Sequence, residues 1–470
     1  MSSEDIAALP RLSRTTQGHG RAPVRMIHLG LGNFYRAHQA WYTDKAPDGA
    51  SWGYAAFTGR RPDMAEALAP QDGLYTLVTK GPGGNTYQVI SSISAVHASS
   101  EYEALLGYFA DPSVVIVTTT VTEAGYRRTA LGALDAGAVD IAEDLAALKA
   151  DPRAVVGCVP ARVCAGLMAR RARALQGDGK APMTILPCDN LPGNGEALKR
   201  VVYDAAEVVD PSLASWMDDN IHWATSMVDR ITPATTDVER EGVAEWGSFY
   251  DASPVPTEPF AEWVIAGSFP AGRPRWEDAG ATICDDVEDF EQRKLWMLNG
   301  SHSLMAYAGP ILGKETVEEA IKDPRIAGWV NDWWAVAGPH LNVPWQDYAA
   351  ALKERFENPN IRHLLAQIAH DGSQKIPVRI FPVLRMELAA GRLPDGPVRA
   401  VAAWVLHLMG HGAPVVDAQG GAVIEAVAAA RTVREAASSA LFVVAADLAD
   451  NHKLLDAIEA KAEEIWDIGT

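Results

Sequence analysis

The sequence predicts an α/β N-terminal domain with a mostly parallel sheet, followed by an all-α C-terminal domain. Three observations carry this reading. Between about Val24 and Cys284, short β-branched or apolar runs alternate with helical ones, the pattern of βαβ units. After about Asp285 strand signals nearly vanish, and Ala-rich helical periodicity with short Gly/Pro breaks takes over. A glycine loop, GLGNFY (30–35), lies between the first expected strand and the first expected helix. The chain is therefore divided into residues 1–285 and 286–470.

The elements follow in order. Residues 25–29 are expected as the first strand, 36–45 as an amphipathic first helix and 52–57 as the second strand. Residues 86–96 are strand-like and are expected as an antiparallel addition. Residues 114–121 form the strongest strand signal, a continuous apolar and Thr-rich run of the kind buried on both faces. Residues 183–186 and 223–228 are expected as later strands, and the Pro-rich stretch 253–274 as an irregular connection. Helical periodicity then marks 287–307, 324–338, 345–356, 361–370, 394–409, 421–447 and 452–464.

Composition excludes several classes of function. With 41 basic against 60 acidic residues the formal charge is −19, which repels a phosphate backbone and argues against nucleic-acid binding. Four cysteines in 470 residues, none in CxxC spacing, argue against a disulfide scaffold and a structural zinc site. No metal is expected. The N-terminal MSSEDIAALPRLSR has no apolar run of signal-peptide length, and no uncharged stretch is long enough to span a bilayer. A soluble cytoplasmic protein is expected, without a membrane partner.

The candidate chemistry begins at the glycine loop. Gly30 and Gly32 supply the tight turn and close backbone approach that a pyrophosphate needs, and the helix that follows offers free N–H groups. The sixth position, usually Gly or Ala, is Tyr35. An ordinary turn is the competing reading. An acid at the end of the second strand would bond the ribose hydroxyls, but Thr58-Gly-Arg-Arg61 stands there. Arg60 and Arg61 can accept a 2′-phosphate, or form a solvated surface pair.

Residues 286–302 open with helix-start acids. At about 100° per residue, Glu291, Lys294, Leu298 and His302 share an arc of roughly 80°, with Asn299 about 60° beyond His302. A lysine on an apolar side is costly unless paired or neutral, and burial lowers its pKa into the range of a general acid/base. The alternative is a lysine that snorkels beside a core helix. Asn190, after an expected strand, and Asn299 can donate two amide hydrogen bonds to one oxygen; loop capping would equally account for Asn190. Asp229 and Arg230 follow another strand, as a loop-locking ion pair or as substrate contacts. Tyr-x-x-x-Lys, His-Glu-x-x-His, Gly-x-Ser-x-Gly and Walker motifs are absent.

Six ordered blocks resemble the polyol-specific long-chain dehydrogenases, the mannitol dehydrogenase family. They are IHLGLGNFYRAHQAWYTD (27–44), TTTVTEAGY (118–126), LPCDNLPGNG (186–195), SMVDRITP (226–233), KLWMLNGSHSLMAYAG (294–309) and DGSQKIPVR (371–379). The resemblance covers nearly the whole chain. It implies a Rossmann-like N-terminal domain, a helical C-terminal domain and a zinc-free active site between them. It implies Lys294 as general acid/base, Asn190 and Asn299 as paired amides, His302 as a substrate-binding histidine and Lys375 as a substrate-side position.

Together these readings give a hydride-transfer enzyme acting on a sugar alcohol or keto sugar, with NAD as cofactor and NADP tolerated. Gly30, Leu31, Gly32, Asn33, Phe34, Arg36 and Arg60 are the expected cofactor contacts, joined by Val121, Thr122 and Glu123 beneath the nicotinamide. Glu291 is expected to pass the proton on to solvent. His302, Lys375, Asp229 and Arg230 are the substrate-side candidates. A hexuronate substrate is one alternative; a catalytically inactive dinucleotide sensor is another. The chain is expected as a monomer or small homo-oligomer.

Overall fold

The computed structural model describes residues 3–17 and 20–469. It divides into two compact units, the first ending at Glu288 and the second beginning at Asp289.

Among its described residues the first unit carries twelve strands: β1 (Val24–Leu29), β2 (Gly53–Phe57), β3 (Tyr75–Gly81), β4 (Gly84–Ile90), β5 (Ile93–His97), β6 (Ile116–Thr119), β7 (Met183–Pro187), β8 (Ile221–Trp223), β9 (Thr225–Asp229), β10 (Val255–Thr257), β11 (Glu262–Ala266) and β12 (Thr282–Cys284). Six of them form one parallel sheet in the order β5-β2-β1-β6-β7-β8. Counted by first appearance in this sheet, the order is 3-2-1-4-5-6, the Rossmann arrangement, with its switch point between β1 and β6. Alternation along the strands feeds two cores. Ile27, Leu29, Ala55 and Phe57 pack with the helices Tyr102–Ala110, Val159–Ala174 and Asn194–Val209. Met26, Tyr54 and Ala56 pack on the other face with the helix Gln39–Lys45 and with Trp263 and Trp276.

Several expectations are corrected. The run 86–96 is two strands in two sheets. Gly84–Ile90 pairs antiparallel with β3, whereas Ile93–His97 joins the edge of the parallel sheet. The switch falls at Ser91 and Ser92. The Ser91 N–H and hydroxyl donate to Asp44, and the Ser92 hydroxyl donates to the Ala40 carbonyl, so the chain is tied to the helix beneath it. Residues 223–228 likewise split, with β8 in the parallel sheet and β9 antiparallel to β11. The Pro-rich 253–274 stretch contains β10 and β11. Pro256 is tolerated because β10 is an edge strand of the sheet β10-β3-β4. The first helix is broken at His38 into Asn33–Ala37 and Gln39–Lys45. Of the run 114–121, only Ile116–Thr119 is strand, and beyond it the Val121 N–H donates to the Asp189 carboxylate.

The second unit is helical among its described residues, apart from an isolated bridge between Thr316 and Leu364. The helices Gly300–Ile311, Pro324–Ala337, Asp395–Leu408 and His452–Gly469 supply much of its packing. Of the expected helix at 361–370 only Leu365–Ile368 forms, and the one at 421–447 is three pieces. The expected helix at 287–307 is interrupted by one π-helical turn, Lys294–Asn299.

Candidate active site

Gly30 adopts φ +110°, and a Cβ there would lie 2.1 Å from the Thr120 carbonyl oxygen. Only glycine fits so close an approach between the ends of β1 and β6. The Gly30 and Leu31 N–H groups both donate to the Phe57 carbonyl, which closes the turn against β2. Gly32 is different. A Cβ there would meet nothing within 4 Å except the Gly30 oxygen at 3.6 Å, so the space beside it is open. That space belongs to a cleft of about 1050 Å³ lined by Gly30, Leu31, Gly32, Asn33, Val121 and Thr122, among others. A glycine turn at the switch point, with an open cradle at its second glycine, fits a dinucleotide pyrophosphate.

Tyr35, at the position where small residues are usual, stacks on His28 of β1 with ring centroids 3.5 Å apart. His28 hydrogen-bonds Thr118 and Thr120 (2.8 and 3.0 Å), and burial pushes its pKa down to about 3, so it is a neutral structural histidine. Three of the expected cofactor contacts lie off the cleft. Phe34 stacks on His38. Arg36 is fully buried and donates to Ser253, Gly32 and Asn33, with its guanidinium over the Tyr75 ring. Glu123 is exposed, and its neighbours Ala124 and Gly125 line the cleft in its place.

Arg60 and Arg61 are exposed on the cleft wall after β2. Arg61 pairs with Asp63 at 3.5 Å, but at 87% and 67% side-chain exposure this pair is worth little. Thr58, Ser99, Cys158 and Arg162 complete this end of the cleft and were not singled out from sequence. Thr58 and Ser99 follow β2 and β5, and Cys158 and Arg162 belong to the start of the helix Val159–Ala174, so their meeting is a consequence of the sheet order.

Asn190 follows β7 and is exposed. Its neighbour Asp189 is buried and accepts from the Thr119 and Tyr126 hydroxyls and the Val121 N–H, tying the loop after β6 to the end of β7. Burial raises the Asp189 pKa against the pull of these donors. Arg230, a substrate-side expectation, is a brace. It donates to the main-chain carbonyls of Ala37 and Glu258 and lies over Trp41, and burial lowers its pKa to about 10. Asp229 is buried at the end of β9.

In the second unit the π-turn revises the helical wheel. Its bonding runs i→i+5, and the Gly300 N–H donates to the Leu295 carbonyl. One extra residue per turn sets later residues back by about 100°. On that count Asn299 comes within about 40° of Lys294 and His302 within about 20°, so both join Glu291 on one arc of roughly 80°. In an uninterrupted α-helix Asn299 would sit about 140° from Lys294. Lys294, Asn299 and Glu291 are partly buried; His302 is 8% exposed and packs against Phe356 and His363. Burial lowers the His363 pKa, with Arg355 adding to the effect. Lys375 donates to the Ile368 carbonyl at 3.1 Å, and burial, then Arg379, lowers its pKa. Among the described residues no group of His, Cys, Asp and Glu could hold a metal ion, and no helix is long and apolar enough to cross a membrane.

A Rossmann sheet with a glycine turn and open cleft at its switch point defines the first unit as a dinucleotide-binding domain. The profile of the mannitol dehydrogenase Rossmann domain matches residues 24–278, and that of the mannitol dehydrogenase C-terminal domain matches residues 286–466. The chain belongs to the mannitol dehydrogenase family. It is 36% identical to a mannitol 2-dehydrogenase of Cereibacter sphaeroides over 94% of this chain and 93% of that protein. It is also 36% identical to the D-mannonate oxidoreductase of Escherichia coli, over 88% of this chain and 84% of the relative. The Pseudomonas fluorescens mannitol 2-dehydrogenase, solved as a ternary complex with NAD and D-mannitol, superposes with a TM-score of 0.75 at 29% identity, covering 100% of this chain and 97% of that one. The chain is an oxidoreductase of this family with a nicotinamide dinucleotide as cofactor.

Two predictions follow from the cleft. Gly32→Ala should leave folding within about 0.5 kcal/mol, because φ −136° suits alanine, yet weaken NADH binding about tenfold by filling the cradle. Fluorescence titration of NADH checks this, and an unchanged affinity would place the pyrophosphate elsewhere. Replacing Arg60 and Arg61 together by alanine should raise the Michaelis constant for NADP(H) about tenfold, the worth of a charge-assisted phosphate contact, and leave that for NAD(H) nearly unchanged. If neither constant moves, the arginines are solvated surface.

Proposed function

We propose that the chain interconverts a sugar alcohol and its keto sugar in a mannitol 2-dehydrogenase-like reaction that uses no metal, with Lys294 as the general acid/base. The observation that carries the reading is the π-turn, which turns Lys294 and Asn299 to one side of one helix. The bound nicotinamide supplies the hydride acceptor in the oxidation direction and the donor in reduction. In oxidation, the neutral Lys294 Nζ takes the proton of the reacting hydroxyl. The Asn299 and Asn190 side-chain amides donate to the oxygen as it gains negative charge, where preorganised donors count most. Glu291, one turn before Lys294, passes the proton on, and His302 holds a neighbouring substrate hydroxyl.

A hexuronate is the second reading, favoured by the likeness to the mannonate enzyme. It needs a cation for the substrate carboxylate. Lys375 and Arg379 are the candidates, and both are engaged by the protein itself. Lys375 donates to the Ile368 carbonyl, and Arg379 to the Asn299 carbonyl (3.3 Å) and the Ser303 hydroxyl (3.2 Å). Both Arg379 bonds use Nη1, and Lys375 spends one of three N–H donors, so each cation keeps donors that a carboxylate could take. The polyol stays the first reading on the likeness to the mannitol 2-dehydrogenases.

Lys294→Ala should cut turnover by about 10²–10⁴-fold while NADH affinity is retained. Steady-state assays with polyols and ketohexuronates, beside NADH titration, check both halves. Near-normal turnover would remove the lysine from the mechanism.

A further inference from the structure

A π-turn creates a specific problem. Where the ladder returns from i→i−5 to i→i−4 bonding, one carbonyl is left without a helical donor, and an unpaired buried carbonyl is costly. Here side chains from elsewhere in the second unit meet that need. The Trp333 indole N–H donates to the Trp296 carbonyl at 2.8 Å, and the Trp334 indole N–H to the Met297 carbonyl at 3.1 Å. The Arg379 guanidinium donates to the Asn299 carbonyl at 3.3 Å. Carbonyls 296, 297 and 299 of this turn thus receive side-chain donors from the helices Pro324–Ala337 and Gly372–Arg379, and the Met297 carbonyl accepts from the Ser301 hydroxyl as well.

The packing is tailored to the first of these bonds. Trp333 is fully buried, and a Cβ on Gly300 would lie 2.7–2.9 Å from its indole atoms. The glycine after Asn299 therefore makes room for the indole that holds the Trp296 carbonyl. Without these donors, the turn would gain a helical bond by returning to regular α-helix. Asn299 would then swing about 100° away from Lys294.

We propose that Trp333 and Arg379 are positioning residues, which act on the reaction by holding the Lys294–Asn299 turn in its π form. Trp334 acts in the same way. None of the three needs to touch the substrate. This rests on the reading of Lys294 as the general acid/base, and the test separates the two.

Trp333→Phe keeps a ring but loses the indole donor, and Arg379→Met keeps an aliphatic stem but loses the guanidinium. Both are compared in the full chain with Lys294→Ala. Glu387→Gln is the control for lost stability; it weakens a buried carboxylate that accepts from His340 and Arg392 in the same unit. Turnover, KM, NADH affinity and the pH profile of kcat are measured. Trp333→Phe and Arg379→Met should each lower kcat about tenfold or more, since small misplacements of a reacting group carry such costs. They should also displace the pH profile, while NADH affinity stays unchanged. Arg379→Lys should restore part of the loss. Glu387→Gln should lower stability alone. If Trp333→Phe does not fold, Trp334→Phe carries the same expectation. If the tryptophan and arginine variants keep kcat within about twofold and retain the wild-type pH profile while Lys294→Ala is inactive, the positioning role is wrong and the lysine reading stands. If Lys294→Ala turns over normally, both fall.

Discussion

Two polar side chains five residues apart cannot serve one atom from a regular α-helix, because they project about 140° apart. The extra residue in the Lys294–Asn299 turn removes that obstacle, and much around it follows from the need to keep the turn open. Gly300 clears space for Trp333, whose indole holds the carbonyl that the ladder cannot. Arg379 lies at the end of the turn, where its Nη1 donates to the Asn299 carbonyl and the Ser303 hydroxyl. One backbone irregularity thereby links the packing of the second unit to the catalytic geometry proposed for Lys294 and Asn299.

The first unit solves a different problem, that of bringing strand ends close enough to leave a cradle. Gly30 lets β1 meet the Thr120 carbonyl, and Asp189 ties the loop after β6 to the end of β7. Buried charges brace the surroundings without entering the cleft. Arg36 and Arg230 spend their guanidinium donors chiefly on main-chain carbonyls, and burial lowers the pKa of each to about 10. Such residues fix where loops lie.

The parallel sheet, the glycine turn and the helical second unit were legible because each leaves a local pattern: apolar runs alternating with helical ones, glycine between strand and helix, or period 3.6. The division of 86–96 between two sheets was not. It depends on Ser91 and Ser92 meeting Asp44 and Ala40, far back in the chain. Arg36 read as a ligand contact, and Arg230 as either a loop lock or a ligand contact, for a related reason: a cation near a motif looks the same whether its partner is a phosphate or a remote carbonyl. The helical wheel on Lys294 assumed a constant 100° per residue and so placed Asn299 off the common arc. No periodicity reports a single inserted residue in a helix, but the Asn-Gly that ends the turn and the paired tryptophans at 333 and 334 were visible traces of it.

The most direct measurement of this account is a high-resolution crystal structure of the chain with NAD and a polyol bound. The account requires the 294–299 backbone to remain π-helical, with Lys294 Nζ and the Asn299 amide both within about 2.6–3.2 Å of the same substrate oxygen. A regular α-helix through this segment, or a lysine directed away from the reacting carbon, would contradict it.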